Sequence, residues 1–186
     1  MYETYISQLV NFLSKKDEEV DFNEIIEFYL NSKKDDFLEV NKRQLARLLI
    51  SEFNYSLRKE FKSSELVNIK VKVGDICYID YGRAYINEAG YQHFGLVIGI
   101  CNSKALVIPM SSNFNMYNQS FCPQSYLNGK PHLFRLPEIK GLHKKSVLFL
   151  NDTKFINTAR VIEVKGFISP SCRLYKDIIK RLKQVV

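Results

Sequence analysis

Residues 1–66 contain neither glycine nor proline, and residues 67–186 hold all eight glycines and all five prolines of the chain. A stretch without those two residues lacks the usual breaks in helical structure. Its apolar positions agree with helix. Tyr2, Tyr5, Ile6, Leu9 and Leu13 recur at helical spacing, and Phe22, Ile25, Ile26 and Tyr29 do so behind an Asp21–Glu24 capping box. Asn41 with Gln44 opens a third run through Leu45, Leu48, Leu49, Phe53 and Leu57. The expectation is three helices, packed on each other or laid on the next domain.

Beyond residue 66 the texture changes. Val67–Val73 alternates apolar and polar side chains, the pattern of a half-buried strand, and Ile76–Tyr81 reads as a second strand after Gly74-Asp75. Residues 82–92 form a loop with two glycines and mixed charge. His93–Ile100 and Ala105–Pro109 are apolar strands joined by a tight hairpin over 101–104. Residues 111–145 are rich in Ser, Asn, Gly and Pro, with little periodicity beyond Leu133–Leu136, and read as a long loop or insertion, a feature that often carries function. Strand character returns at Ser146–Leu150 and Arg160–Ile168. Ser169 and Pro170 then read as the N-cap and first residue of a last helix with Leu174, Tyr175, Ile178, Ile179 and Leu182 on its apolar face. The fold class expected is α+β. A helical extension, 1–66, precedes a small barrel closed by a C-terminal helix, 67–186.

Charge divides at the same place. The net charge is +7, with 10 Lys and Arg against 13 Asp and Glu in residues 1–66, and 17 against 7 in residues 67–186. A basic domain of this kind attracts polyphosphate at long range, although a solvated surface biased to lysine has the same composition. The acidic extension could dock near the basic face. Its sign argues against a helix-turn-helix reader in residues 22–61. A hydrophobic fraction of 46% excludes a disordered chain.

Cysteines at 77, 101, 122 and 172 form no CxxC pair, so a zinc ribbon or thioredoxin-like motif is not expected, and Cys77 and Cys101 read as reduced core residues. His93, His132 and His143 lack ligand-like spacing, and GRAYINEAG lacks the ending of a phosphate loop. No metal and no cofactor are expected. The start, MYETYISQLVNFLSKKDEE, has no basic n-region or small-residue cleavage site, and no apolar run approaches membrane-spanning length. The expectation is a soluble cytoplasmic protein without a membrane partner.

The order of these pieces resembles the MazF/PemK family of toxin endoribonucleases. Gly74-Asp75-Ile76 is similar to that family's opening strand. Glu88-Ala-Gly90-Tyr-Gln-His93 is similar to its Glu-x-Gly-x-x-Arg loop, Val107-Ile-Pro109-Met-Ser111-Ser112 to its strand ending in Pro-x-Thr/Ser-Ser, and Ser146 to Ile156 to its strand and Arg-x-Ile segment. The resemblance implies an SH3-like barrel and a toxin that cleaves single-stranded RNA through the ribose 2′-hydroxyl without metal. It also implies assembly as a homodimer and a cognate antitoxin. The long loop after Ser112 resembles the larger toxins held by RNA antitoxins, so that antitoxin is either protein or RNA.

The sequence departs from the family where His93 stands at the catalytic arginine position, Phe149 at a second arginine and Asn151 at an acid. Candidate catalytic residues are His93, as acid or base, Glu88, and Ser111, as a phosphate contact. Candidate RNA contacts are Arg83, Ser112, Asn113, Lys154 and Tyr91. Each has a plain structural alternative: a histidine capping its strand, serines in turn chemistry, an exposed charge, a tyrosine anchoring a loop. Two functions stay open. One is the toxin ribonuclease. The other is a catalytically inactive barrel that binds RNA or a protein, which the three departures favour, while the retained Glu88-x-Gly90 loop and the Ser111–Ser112 pair favour the first.

Overall fold

The computed structural model describes residues 1–14 and 19–186, so Lys15 to Glu18, part of the charged stretch weighed against a secretory leader, lie outside the described residues. The chain divides into two compact units, Met1–Leu45 and Ala46–Val186. The first holds α1 (Tyr2–Leu13) and α2 (Phe22–Glu39). Asp21 caps α2 by accepting from the backbone amides of Asn23 and Glu24 at 3.0 and 3.1 Å. The Glu24 carboxylate accepts instead from the Tyr5 hydroxyl at 2.7 Å, and the Phe12 and Phe22 rings meet edge-on at 5.2 Å. Neither helix contains a buried residue.

Helix α3 (Lys42–Arg58) begins at a reciprocal cap. Asn41 Oδ1 accepts from the Gln44 amide at 3.0 Å, and Gln44 Oε1 accepts from the Asn41 amide at 3.3 Å. From Ala46 onward α3 lies in the second unit. There it docks by a face the apolar pattern does not indicate. Arg47, Ser51, Asn54 and Arg58 share one side of the helix by their spacing. Ser51, Asn54 and Arg58 bond directly to the sheet unit, while Phe53 and Leu57 stay 69% and 66% exposed. Leu48 is buried, as its spacing leads one to expect.

The second unit contains one eight-stranded mixed sheet: β1 (Asp75–Asp80), β2 (Gln92–Cys101), β3 (Lys104–Ser111), β4 (Ser120–Phe121), β5 (Lys130–Arg135), β6 (Val147–Phe149), β7 (Lys154–Asn157) and β8 (Val161–Phe167). The order is β4-β5-β6-β3-β2-β1-β8, with β7 also on β3. Among the described residues β4 and β8 do not pair, so the sheet is open. Asn102 and Ser103 both adopt left-handed φ (46° and 64°) and make the tight β2–β3 hairpin. Strand β3 forks: Lys104–Val107 pair with β7, and Met110–Ser111 pair with β6.

Four local expectations are corrected. Residues 67–73 are not a strand. A 3-10 turn (Ser64–Val67) ends at left-handed Asn68, and the Asp75 carboxylate takes the Lys72 amide at 2.8 Å; the alternation survives as the packing of Ile69 and Val71 on the core. Residues 111–145 are not one loop, for they contain α4 (Phe114–Asn118), β4 and β5. The Arg135 guanidinium organises this segment by donating to the carbonyls of Tyr117 and Asn118 at 2.8 and 3.1 Å while lying over the Tyr117 ring. The last helix, α5 (Arg173–Val185), starts behind Cys172, whose Sγ accepts from the Tyr175 amide at 3.5 Å, and Ser169–Cys172 form a turn ahead of it. Cys101 is exposed at the hairpin, while Cys77 is fully buried and its thiol is pushed up to about 12 by that burial.

One apolar core packs α5 (Tyr175, Ile178) against Ile76, Leu96, Ile108, Phe134 and Leu148. A bulge at Ile98 turns its carbonyl toward the Tyr175 hydroxyl at 3.2 Å. No helix among the described residues is long and apolar enough to cross a membrane.

Candidate functional site

A polar node fixes α3 on the sheet. The buried Asp80 carboxylate, at the end of β1, accepts from Ser51 Oγ, from Asn54 Nδ2 at 3.1 Å, from Gln92 Nε2 at 3.2 Å and from the Gly82 amide at 3.2 Å. Gln92, 1% exposed at the start of β2, also donates to the Arg47 carbonyl at 3.0 Å. A buried carboxylate is tolerated when its lone pairs are filled in this way. The consequence is positional: Arg47 is tied to the residue that precedes His93.

Next to this node lies a cleft of about 570 Å3. Its floor is the middle of the sheet, Tyr78 on β1, His93 and Phe94 on β2, and Met110 and Ser111 at the end of β3, followed by Ser112. Arg47 closes one side. The Gly141–Lys144 loop closes another, with His143 and Lys144, and Lys165 on β8 completes the rim. Gly141 holds a left-handed φ of 94°, and a Cβ there would collide with the Lys165 carbonyl, so only glycine brings this loop so close to β8.

The His93 imidazole is held below its ordinary value of 6.5. Burial is the main cause and the Arg47 charge adds to it; the Met110 backbone and the Asp152 charge oppose it. At neutral pH the ring is therefore neutral and able to accept a proton. The cleft thus combines a neutral imidazole, two serine hydroxyls and several cations, a set suited to an anionic ligand and to proton transfer at it.

Of the residues singled out in the sequence, His93, Ser111 and Ser112 meet in this cleft. The others lie elsewhere. Glu88 is exposed, and its carboxylate accepts from the Tyr85 amide of its own loop at 3.4 Å. Arg83 pairs with Glu52 at 3.3 Å beside a second cavity of about 350 Å3. Lys154 pairs with Asp152 at 2.7 Å; Asp152 also accepts from the Ala89 amide at 2.7 Å and so ties down the 82–91 loop. Tyr91 adopts a left-handed φ of 53°, and its amide donates to the Gly82 carbonyl at 2.5 Å. Asn113 caps α4 through Met116 at 3.1 Å. Arg47, His143, Lys144 and Lys165 were not anticipated. Arg47 sits in a helix read as part of the acidic extension, and the other three belong to no motif.

No protein-family model matches the chain, and no curated protein does. Among solved structures it is similar to MazF from Deinococcus radiodurans, at 13% identity and TM-score 0.44, over 63% of this chain and 93% of that one. It is also similar to the MazE–MazF structure from the same organism (13%, TM-score 0.41, 63% and 93%) and to the Mycobacterium tuberculosis toxin MazF-mt6 (11%, TM-score 0.41, 59% and 93%). Likeness at this level does not define a family.

Proposed function

We propose that this protein is a toxin endoribonuclease that cleaves single-stranded RNA through the ribose 2′-hydroxyl without a metal ion. The observation that carries the proposal is the cleft in which neutral-leaning His93 meets Ser111, Ser112 and the cationic rim. His93 takes the 2′-hydroxyl proton; the oxygen attacks the adjacent phosphorus; the bond to the 5′-oxygen breaks, and that oxygen leaves with a proton taken from water, while the proton on His93 returns to solvent. The products are a 2′,3′-cyclic phosphate and a 5′-hydroxyl end. Ser111 donates a hydrogen bond to a phosphate oxygen, and the rim cations offset its charge.

In this reading residues 67–186 form a variant of the SH3-like barrel that carries His93, Ser111 and Ser112, and residues 1–66 are a helical extension whose α3 completes the cleft with Arg47. A second copy and a cognate antitoxin, protein or RNA, complete the system in the cytoplasm. The test is to incubate the purified full chain with labelled single-stranded RNA in EDTA, alongside the same sequence with 2′-deoxy sugars. Cleavage of the RNA alone, with cyclic-phosphate ends, is expected. Loss of activity in EDTA with recovery in magnesium would overturn the mechanism. RNA retention without cleavage would leave the binding module standing.

A further inference from the structure

We infer that Arg47, delivered by α3 from outside residues 67–186, is the guanidinium that clamps the substrate phosphate in the His93 cleft. The inference rests on the ribonuclease reading for its chemistry, but its geometry is independent of it. A crowded phosphate needs a cation that is held in place and is not already spent on a carboxylate. Several other cations near the sheet are engaged, and Lys144 on the rim offers only a point charge. Arg83 pairs with Glu52, Lys154 with Asp152 and Lys165 with Glu163, and Arg135 is committed to carbonyls. Arg47 lines the cleft half-buried, and among the described residues no carboxylate pairs with it.

Its backbone is also immobilised from two directions. Gln92 Nε2 holds the Arg47 carbonyl at 3.0 Å, and Ser51, one helical turn on, is bonded to Asp80. The anchor is the strand that carries His93, so the imidazole and the guanidinium share one support. After burial, the Arg47 charge is the next cause that disfavours protonation of the His93 ring, consistent with the two groups facing one cleft. A guanidinium offers a planar fork to two phosphate oxygens, which the lysines of the rim cannot do. Neither the Gln92 bond nor the Asp80 node uses the Arg47 side chain, so truncating it leaves α3 docked.

The experiment compares the full-length wild type with Arg47→Ala and Arg47→Lys. It measures cleavage of a single-stranded RNA, affinity for its uncleavable 2′-deoxy counterpart, and the thermal midpoint. Arg47→Ala is expected to keep the wild-type midpoint, to lower kcat/KM about 10²–10³-fold, and to weaken oligonucleotide binding with a shallower salt dependence. Arg47→Lys is expected to fall between, since it keeps the charge and loses the fork. If the wild type cleaves and Arg47→Ala cleaves equally well, the inference is overturned and the ribonuclease reading stands. If the wild type binds without cleaving and Arg47→Ala binds more weakly, the ribonuclease reading is lost while Arg47 keeps its place. Unchanged or absent binding in a protein that does not cleave defeats both. If Arg47→Ala unfolds, a wild-type rate in folded Arg47→Lys overturns the clamp, and a reduced rate supports it.

Discussion

His93 has a neighbourhood that makes its titration informative. Its ring is neutral at pH 7 because burial, assisted by Arg47, opposes protonation. If the ring is the base, kcat/KM falls as the pH is lowered, with an inflection below 6.5, the ordinary histidine value. An inflection at or above that value, or none, would remove His93 from the role. The same shift bears on stability. A group whose pKa is lower in the folded state binds more protons when unfolded, so its contribution is complete above 6.5 and is lost as the pH falls through the folded value. His93→Ala is expected to reduce cleavage about 10²–10⁴-fold while leaving the fold intact. Tyr81 tests a different residue-scale effect. Its hydroxyl is buried beside Gly95 and finds no hydrogen-bond partner among the described residues. Removing an unsatisfied polar group leaves nothing orphaned, so Tyr81→Phe is expected to be neutral or to stabilise by about 1 kcal/mol in a thermal melt. A clear loss would mean that the hydroxyl has a partner in solution.

At the scale of elements, α3 belongs with the sheet in every way except sequence position. Its polar side fills the lone pairs of Asp80, and removing it would leave a buried carboxylate short of donors. A chain begun at Val40, which keeps the Asn41–Gln44 cap, is expected to stay soluble and to melt cooperatively. A chain begun at Val67 is expected to aggregate or melt far lower; equal melting of the two would show that α3 is dispensable. This is also where the sequence was least legible. Periodicity located α3, its cap and Leu48, but periodicity reports where apolar residues fall and not which face a sheet will take. Hydrogen bonds to Asp80 and Gln92, 26 to 45 residues away, decided the matter. The core strands β1, β2 and β3 were legible because their middles, Ile76–Ile79, Phe94–Ile98 and Ala105–Met110, are largely apolar and mostly buried. Residues 111–145 were not, because one arginine organises them through backbone carbonyls. Within the cleft, motif order found His93, Ser111 and Ser112, and no local pattern could find Arg47.

Across the whole molecule the charge is uneven, with the surplus of basic residues in residues 67–186. If the cleft takes RNA, the logarithm of affinity for a single strand should fall linearly with that of salt, by about 0.7 for each phosphate neutralised. Affinity indifferent to salt would point to a ligand other than a polyanion. The forked strand β3 has a bearing on what keeps the cleft floor in register. Pro109, which has no amide hydrogen to donate, sits at the gap between the residues paired with β7 and those paired with β6. Among the described residues, strands β4, β5 and β6 are stitched to β3 by the pairs Met110–Leu148 and Ser111–Val147, with side-chain packing under α5 and the Arg181 Nε bond to the Pro131 carbonyl at 3.2 Å adding to the hold. The β2–β3 ladder, through Phe94–Met110 and Gly95–Pro109, therefore carries the register of His93 and Ser111 across the fork.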